Sequence, residues 1–142
     1  RDFLDKLYTG KSISMFGNLQ LLHTFTYIND FARAMVNVGN TIDAMGQIWH
    51  VPNAPAISLK DWIALFEEIS GKSARIILLH KWVVRMAGVF SRIIRELYEL
   101  AYQFEYPYLV SHEKYAERFG YHATSHEEIV AETIAWYKES TD

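Results

Sequence analysis

Cysteine is absent from the 142 residues, which removes a disulfide framework, a thiolate zinc site and a cysteine nucleophile from consideration. The same absence fits a reducing compartment, and the expected location is the cytoplasm. Proline occurs three times and glycine seven, while half of the residues are hydrophobic, so collagen-like, low-complexity and disordered classes are excluded. An excess of positive charge is also missing, because 17 acidic residues face 14 basic ones and leave −3. No basic field is available to displace counterions from a phosphate backbone, and no nucleic-acid partner is expected. Long apolar runs are lacking as well. The most lipid-like stretch, residues 76–100, is interrupted by His80, Lys81, Arg85, Arg92, Arg95, Glu96 and Glu99, short of the roughly 18 apolar residues a span requires. Neither a transmembrane segment nor a signal peptide is expected.

What remains is material for one mixed α/β, helix-rich domain over residues 1–142, long enough to bury a core. The chain opens on Arg1, and residues 2–8 read as the end of a helix with Phe3, Leu4 and Leu7 on one face and Gly10 closing it. A piece of something longer is the expectation. Alternation over residues 12–16, stopped by Gly17-Asn18, predicts a strand and turn, and residues 23–28 predict a second strand. Asn29 or Asp30 is placed to cap a helix over 31–38 that Gly39-Asn40 ends in the left-handed conformation. Residues 47–51 form a third strand candidate, and Ser58 with Asp61 caps an amphipathic helix over 59–70 closed by Gly71.

Residues 75–79 resemble a buried strand, and 81–104 are helical in period until Pro107. An edge strand over 108–110 and a short helix over 112–119 ended by Gly120 follow. The last helix has the clearest start, an S-x-x-E capping box made by Ser125 and Glu128 ahead of Ile129, Ile134, Trp136 and Tyr137. No repeat or linker interrupts this order.

Little of this carries chemistry by itself. Of the six histidines, His122 and His126 are spaced i, i+4, but the capping box puts His126 in the first turn and His122 before it, so no metal site is expected. There is no H-E-x-x-H and no Gly-x-Ser-x-Gly elbow, and the glycines fall singly where elements end, so no phosphate cradle can be assembled. Lys81, Arg85, Arg92 and Arg95 share one helical face. That face reads either as a membrane-surface stripe or, preferably, as the wet side of a buried helix. The apolar arc around Trp82, Met86, Val89, Phe90 and Ile93 is the expected contact for self-association. Glu67-Glu68 and Glu127-Glu128 are solvated helix charge. No self-contained catalytic constellation emerges.

The order of the pieces resembles the C-terminal, substrate-binding part of an extended short-chain dehydrogenase/reductase, the NAD-dependent epimerase/dehydratase family. The family's L-x-I-F-G-N strand is similar to Ile13-Ser14-Met15-Phe16-Gly17-Asn18. Its Arg-x-Phe/Tyr-x-x-Val-x-Asp segment is similar to His23-Thr24-Phe25-Thr26-Tyr27-Ile28-Asn29-Asp30. A G-x-x-Tyr-Asn-Val-Gly strand before a Ser/Thr-capped helix resembles Gly46-Gln47-Ile48-Trp49-His50-Val51-Pro52-Asn53 and Ser58-Leu59-Lys60-Asp61. The closing pattern looks like Lys114, Phe119-Gly120-Tyr121 and Thr133-Ile134-Ala135-Trp136-Tyr137.

The resemblance implies the C-terminal lobe of a Rossmann-type enzyme without its N-terminal dinucleotide-binding half. The family binds NAD or NADP on a Gly-x-x-Gly-x-x-Gly turn and reacts through Tyr-x-x-x-Lys, and neither occurs here. No catalytic residue and no cofactor binding are therefore expected of this chain, and its implied partners are the absent Rossmann half and a small-molecule substrate. The implied substrate-contacting residues are Phe16, His23, Phe25, Tyr27, Asn53 and Phe104. Family members acting on nucleotide sugars carry Arg where His23 stands and a second Arg before the segment matching Pro107. Residues 102–106 hold none, so an uncharged carbonyl or alcohol is the expected substrate. An alternative implied by the same scaffold is a non-catalytic, NAD(P)-linked regulatory or binding module.

Overall fold

A computed structural model of the chain describes residues 1–79 and 104–141. The expected helix over 81–104, its basic stripe and the apolar arc at Trp82 to Ile93 lie outside the described residues, apart from Phe104 itself. The chain begins with helix α1 (Asp2–Thr9) and strand β1 (Ser12–Phe16), followed by the two-residue strand β2 (Leu22–His23) and helix α2 (Ile28–Gly39). A 3₁₀ turn (Ile42–Ala44) precedes β3 (Ile57–Ser58), α3 (Leu59–Ser70) and β4 (Arg75–Leu79). Helices α4 (Glu113–Phe119) and α5 (His126–Glu139) complete the described elements. The fold is mixed α/β with a small parallel sheet.

Local chemistry explains the element ends that were foreseen. Ser58 accepts from the Asp61 amide at 3.1 Å and donates to the Asp61 carboxylate at 2.6 Å, so the start of α3 satisfies both its backbone and its cap. Ser125 caps α5 by accepting from the Glu128 amide at 3.2 Å. Gly10 and Gly71 close α1 and α3 in the left-handed region, at φ 67° and 66°.

The core lies where α1, α3 and α5 meet. Leu4 and Leu7 from α1, Phe66 from α3, and Val130, Ile134 and Tyr137 from α5 are buried together, with Phe3, Tyr8, Trp62, Leu65 and Ala74 packed against them. Each fully buried aliphatic side chain there contributes about 1.5–3 kcal/mol. Tyr137 also donates to Asp5 at 2.8 Å, tying the last helix to the first. Beside this core β1 and β4 pair in parallel from Ser12↔Arg75 to Phe16↔Leu79, and the intervening chain carries α2 and α3 in its crossover.

Six expectations are corrected. The strand over 23–28 shrinks to His23, because its antiparallel partner β3 has only two residues before α3 begins. Tyr27 then becomes the N-cap of α2, which starts at Ile28 with no side-chain cap. Asp30 does not cap; its carboxylate is buried and accepts from the Thr124 amide and hydroxyl, both at 2.8 Å. Helix α2 runs through Gly39 and ends at Asn40 with φ −87°, not in the left-handed region. Residues 47–51 form no strand. They are instead pinned by side chains, with Trp49 Nε1 donating to Ala44 O at 3.0 Å and Lys114 Nζ to Ile48 O at 3.0 Å. Strand β4 is largely exposed rather than buried, since β1 alone flanks it among the described residues. The edge strand over 108–110 reduces to a single parallel bridge between Tyr108 and His23.

Candidate functional site

The loop leaving β1 is tied to Phe104 and to the start of α3. Gly17, at φ 91°, turns it so closely past Phe104 that a side chain at position 17 would meet Phe104 Cβ at 2.5 Å and its carbonyl oxygen at 2.7 Å. Asn18 donates its amide to that carbonyl at 3.1 Å and accepts from the Gln20 amide at 3.0 Å through its side chain. Lys60, at the start of α3, donates its amide to Leu19 O at 2.9 Å.

His23 is held from two sides. β3 pairs with it in antiparallel register at Ile57. On the other side the Tyr108 amide donates to Leu22 O at 3.0 Å, and the Thr24 amide donates to Tyr108 O at 2.8 Å. Thr24 Oγ1 accepts from the Val110 amide at 3.1 Å. The backbone around position 23 is therefore fixed, and its side chain is presented from a rigid platform.

Around this loop the expected substrate residues divide into groups. Phe16 and Phe104 meet edge to face with centroids 6.4 Å apart, and His23 lies 6.4 Å from Phe25. Phe25 stacks on Trp62 at 5.4 Å and 14°, and both line a cavity of about 320 Å³ with Phe3, Met15 and Phe66. Tyr27 belongs elsewhere. It lines a cleft of about 460 Å³ with Ile28, Asn29, Glu132, Thr133 and Trp136. Its hydroxyl donates to the Glu132 carboxylate and accepts from Asn29 Nδ2 at 2.8 Å. The hydrogen bond to Glu132, then partial desolvation, pushes its pKa up to about 12.

Asn53 is buried, with Nδ2 donating to Val51 O at 2.9 Å and its backbone carbonyl accepting from the Tyr121 hydroxyl at 2.9 Å, while its side-chain Oδ1 is buried without a hydrogen-bond partner among the described residues. The hydrogen bonds of Asn53 and Tyr27 go to other residues than Phe16, His23 and Phe104. Trp62 was not anticipated as a ring partner, although its place on the inner face of α3 follows from helical spacing. The Tyr27–Glu132 pair has no local signal at all, because its members stand 105 residues apart. Exposed Tyr106 and Tyr108 add aromatic surface beside Phe104.

Phe16 with Phe104 and His23 with Phe25 give an aromatic surface with one imidazole, and the cavity that Phe25 lines with Trp62 also carries Arg1. Among the described residues, no three His, Asp or Glu side chains converge to hold a metal ion, and no helix is long and apolar enough to cross a membrane. Among the described residues the five glycines with positive φ stand singly, without a glycine-rich turn whose amides would face a pyrophosphate.

Two solved structures of UDP-glucuronic acid 4-epimerase from Bacillus cereus resemble the chain, one in complex with NAD and one in complex with UDP-glucuronic acid and NAD. Each superposes with a TM-score of 0.70 at 20% sequence identity and covers 96% of this chain. The chain has part of the fold of these epimerases. It spans 37% and 38% of their lengths. No family model matches the sequence, and no curated protein does.

Proposed function

We propose that the chain is the substrate-side lobe of an NAD- or NADP-dependent enzyme of the epimerase/dehydratase type, working on an uncharged carbonyl or alcohol rather than a nucleotide sugar. The observation that carries this reading is the platform at His23, where β3 and the segment at Tyr108 fix the backbone on both sides. The similar epimerase is solved with a nucleotide sugar and NAD, which supports the general class. The divergence lies in the side chain. An imidazole offers a phosphate one ring nitrogen at a time, whereas a guanidinium is a fixed charge that binds phosphate through two parallel hydrogen bonds.

The cofactor would be held by another lobe, and this lobe would shape the pocket and exclude water. Aromatic rings at Phe16, Phe25 and Phe104 would receive the apolar part of the ligand while His23 hydrogen-bonds its oxygen. The cysteine-free composition supports a reducing compartment such as the cytoplasm.

The test is the affinity for UDP-glucuronic acid before and after His23→Arg, measured by nuclear magnetic resonance on residues 1–142. One restored charged hydrogen-bond partner contributes about 1.5–3 kcal/mol, so the variant gains roughly one to two orders of magnitude. Tight binding of the nucleotide sugar by the unmodified chain, with no gain in the variant, would overturn the substrate reading.

A further inference from the structure

The cleft at Tyr27 has a chemistry unlike that of the platform at His23. Its volume of about 460 Å³ falls in the roughly 300–1,000 Å³ range of small-molecule sites. Tyr27, Ile28 and Asn29 at the start of α2 form one wall, and Glu132, Thr133 and Trp136 of α5 form the other. Glu132 and Trp136 stand one helical turn apart, so a carboxylate and an indole share one face of α5. Trp136 is 54% and Ile28 69% exposed, which leaves apolar surface open on both walls. The carboxylate is tethered. Its Oε2 accepts from the Tyr27 hydroxyl, which in turn accepts from Asn29 Nδ2 at 2.8 Å. Among the described residues, Oε1 receives no hydrogen bond and Glu132 no ion pair.

The surroundings are anionic. No lysine, arginine or histidine lines the cleft, and Arg33, the basic residue of α2, is paired with buried Asp30 at 3.1 Å. Helix α5 sets Glu127, Glu128, Glu132 and Glu139 against a single lysine, Lys138. The charges of Glu132 and Asp30 both help to keep the Tyr27 phenol protonated. We propose that this cleft binds a primary alkylammonium group, its nitrogen donating to Glu132 Oε1 and its carbon chain lying along Trp136 and Ile28. An ammonium brings both the donor and the counter-charge that the free carboxylate oxygen lacks. The indole face attracts the same cation, and its edge packs the methylenes. A neutral alcohol or a sugar would meet the ring and the acceptor but bring no counter-charge, and an anion would be repelled. A free amine and the lysine side chain of a peptide share this chemistry.

The test is a nuclear magnetic resonance titration of residues 1–142 with n-butylammonium, n-butanol, glucose and a lysine capped at both ends, at low and high salt. Butylammonium should shift the Trp136 indole and the Tyr27 and Glu132 amides with a millimolar midpoint, and high salt should weaken it. It should bind at least about threefold more tightly than butanol, the scale of an exposed ion pair. Glu132→Gln keeps an oxygen for the Tyr27 hydroxyl and removes the charge, so it should weaken butylammonium at least about threefold and leave butanol unchanged. Trp136→Ala should weaken both. A capped lysine that matches butylammonium extends the site to peptides, and one that does not bind confines it to free amines; either result upholds the ammonium site. Equal affinity for butylammonium and butanol, tighter binding of glucose, an unaffected Glu132→Gln variant, or shifts that map away from the cleft would overturn the proposal. So would the lack of a saturable shift by about 100 mM butylammonium.

Discussion

Gly17→Ala tests whether the loop at the end of β1 is built around its contact with Phe104. At φ 91° a side chain is strained whatever space it finds, at a cost of about 1–2 kcal/mol. Here there is no space either. The new Cβ would stand 2.5 Å from Phe104 Cβ and 2.7 Å from its carbonyl oxygen, so the segment at 104 must retreat. That movement sacrifices the Asn18–Phe104 hydrogen bond of 3.1 Å, about 0.5–1.5 kcal/mol. It also sacrifices the Phe16–Phe104 ring pair, another ~0.5–1.5 kcal/mol.

The expected loss is about 2–5 kcal/mol, a large part of a typical domain's 5–15 kcal/mol stability. Gly46→Ala is the control, since Gly46 also has positive φ, at 71°, but no atom within 4 Å of the added carbon; its loss is confined to about 1–2 kcal/mol. Urea unfolding of both variants, read as a shift in midpoint at constant slope, separates the two terms. Equal losses in the two variants would refute the packing argument and leave only backbone strain.

The Tyr27 phenol titrates near 12 instead of the ordinary 10.0, and its ultraviolet absorbance should show this midpoint falling toward 10 in Glu132→Gln. Because the folded value is the higher one, the contact's contribution to stability is fully present below about pH 10 and is lost as pH climbs through 12; an unchanged midpoint in the variant rejects the pairing. Ser125→Ala removes the side-chain cap of α5 and should cost about 1 kcal/mol in denaturant midpoint, with Ser125→Asp restoring most of it. A neutral Ser125→Ala counts against that cap.

Much of the fold was legible because local chemistry decides it. The Ser58 and Ser125 caps, the Gly10 and Gly71 ends, and the alternation of β1 each depend on residues a few positions apart, and each stands where the sequence placed it. The failures share the opposite cause. Asp30 looked like a cap because aspartate favours that role, but Thr124, 94 residues away, offers two donors to the buried carboxylate. Residues 23–28 alternate like a strand, yet a ladder requires a neighbour, and β3 supplies two residues.

The site was read with the same asymmetry. Phe16 and Phe104 do meet, and His23 does sit on a paired backbone beside Phe25. Tyr27 bonds Glu132, and the Asn53 backbone accepts from Tyr121; no spacing in the sequence announces those long-range contacts.

The most direct test of the account is a calorimetric titration of NAD into residues 1–142. The proposal puts the substrate side on this chain and the dinucleotide on another lobe, because among the described residues the positive-φ glycines are single and no turn of amides faces a pyrophosphate. The account predicts no saturable heat at millimolar NAD. Micromolar, stoichiometric binding to the isolated chain would contradict it.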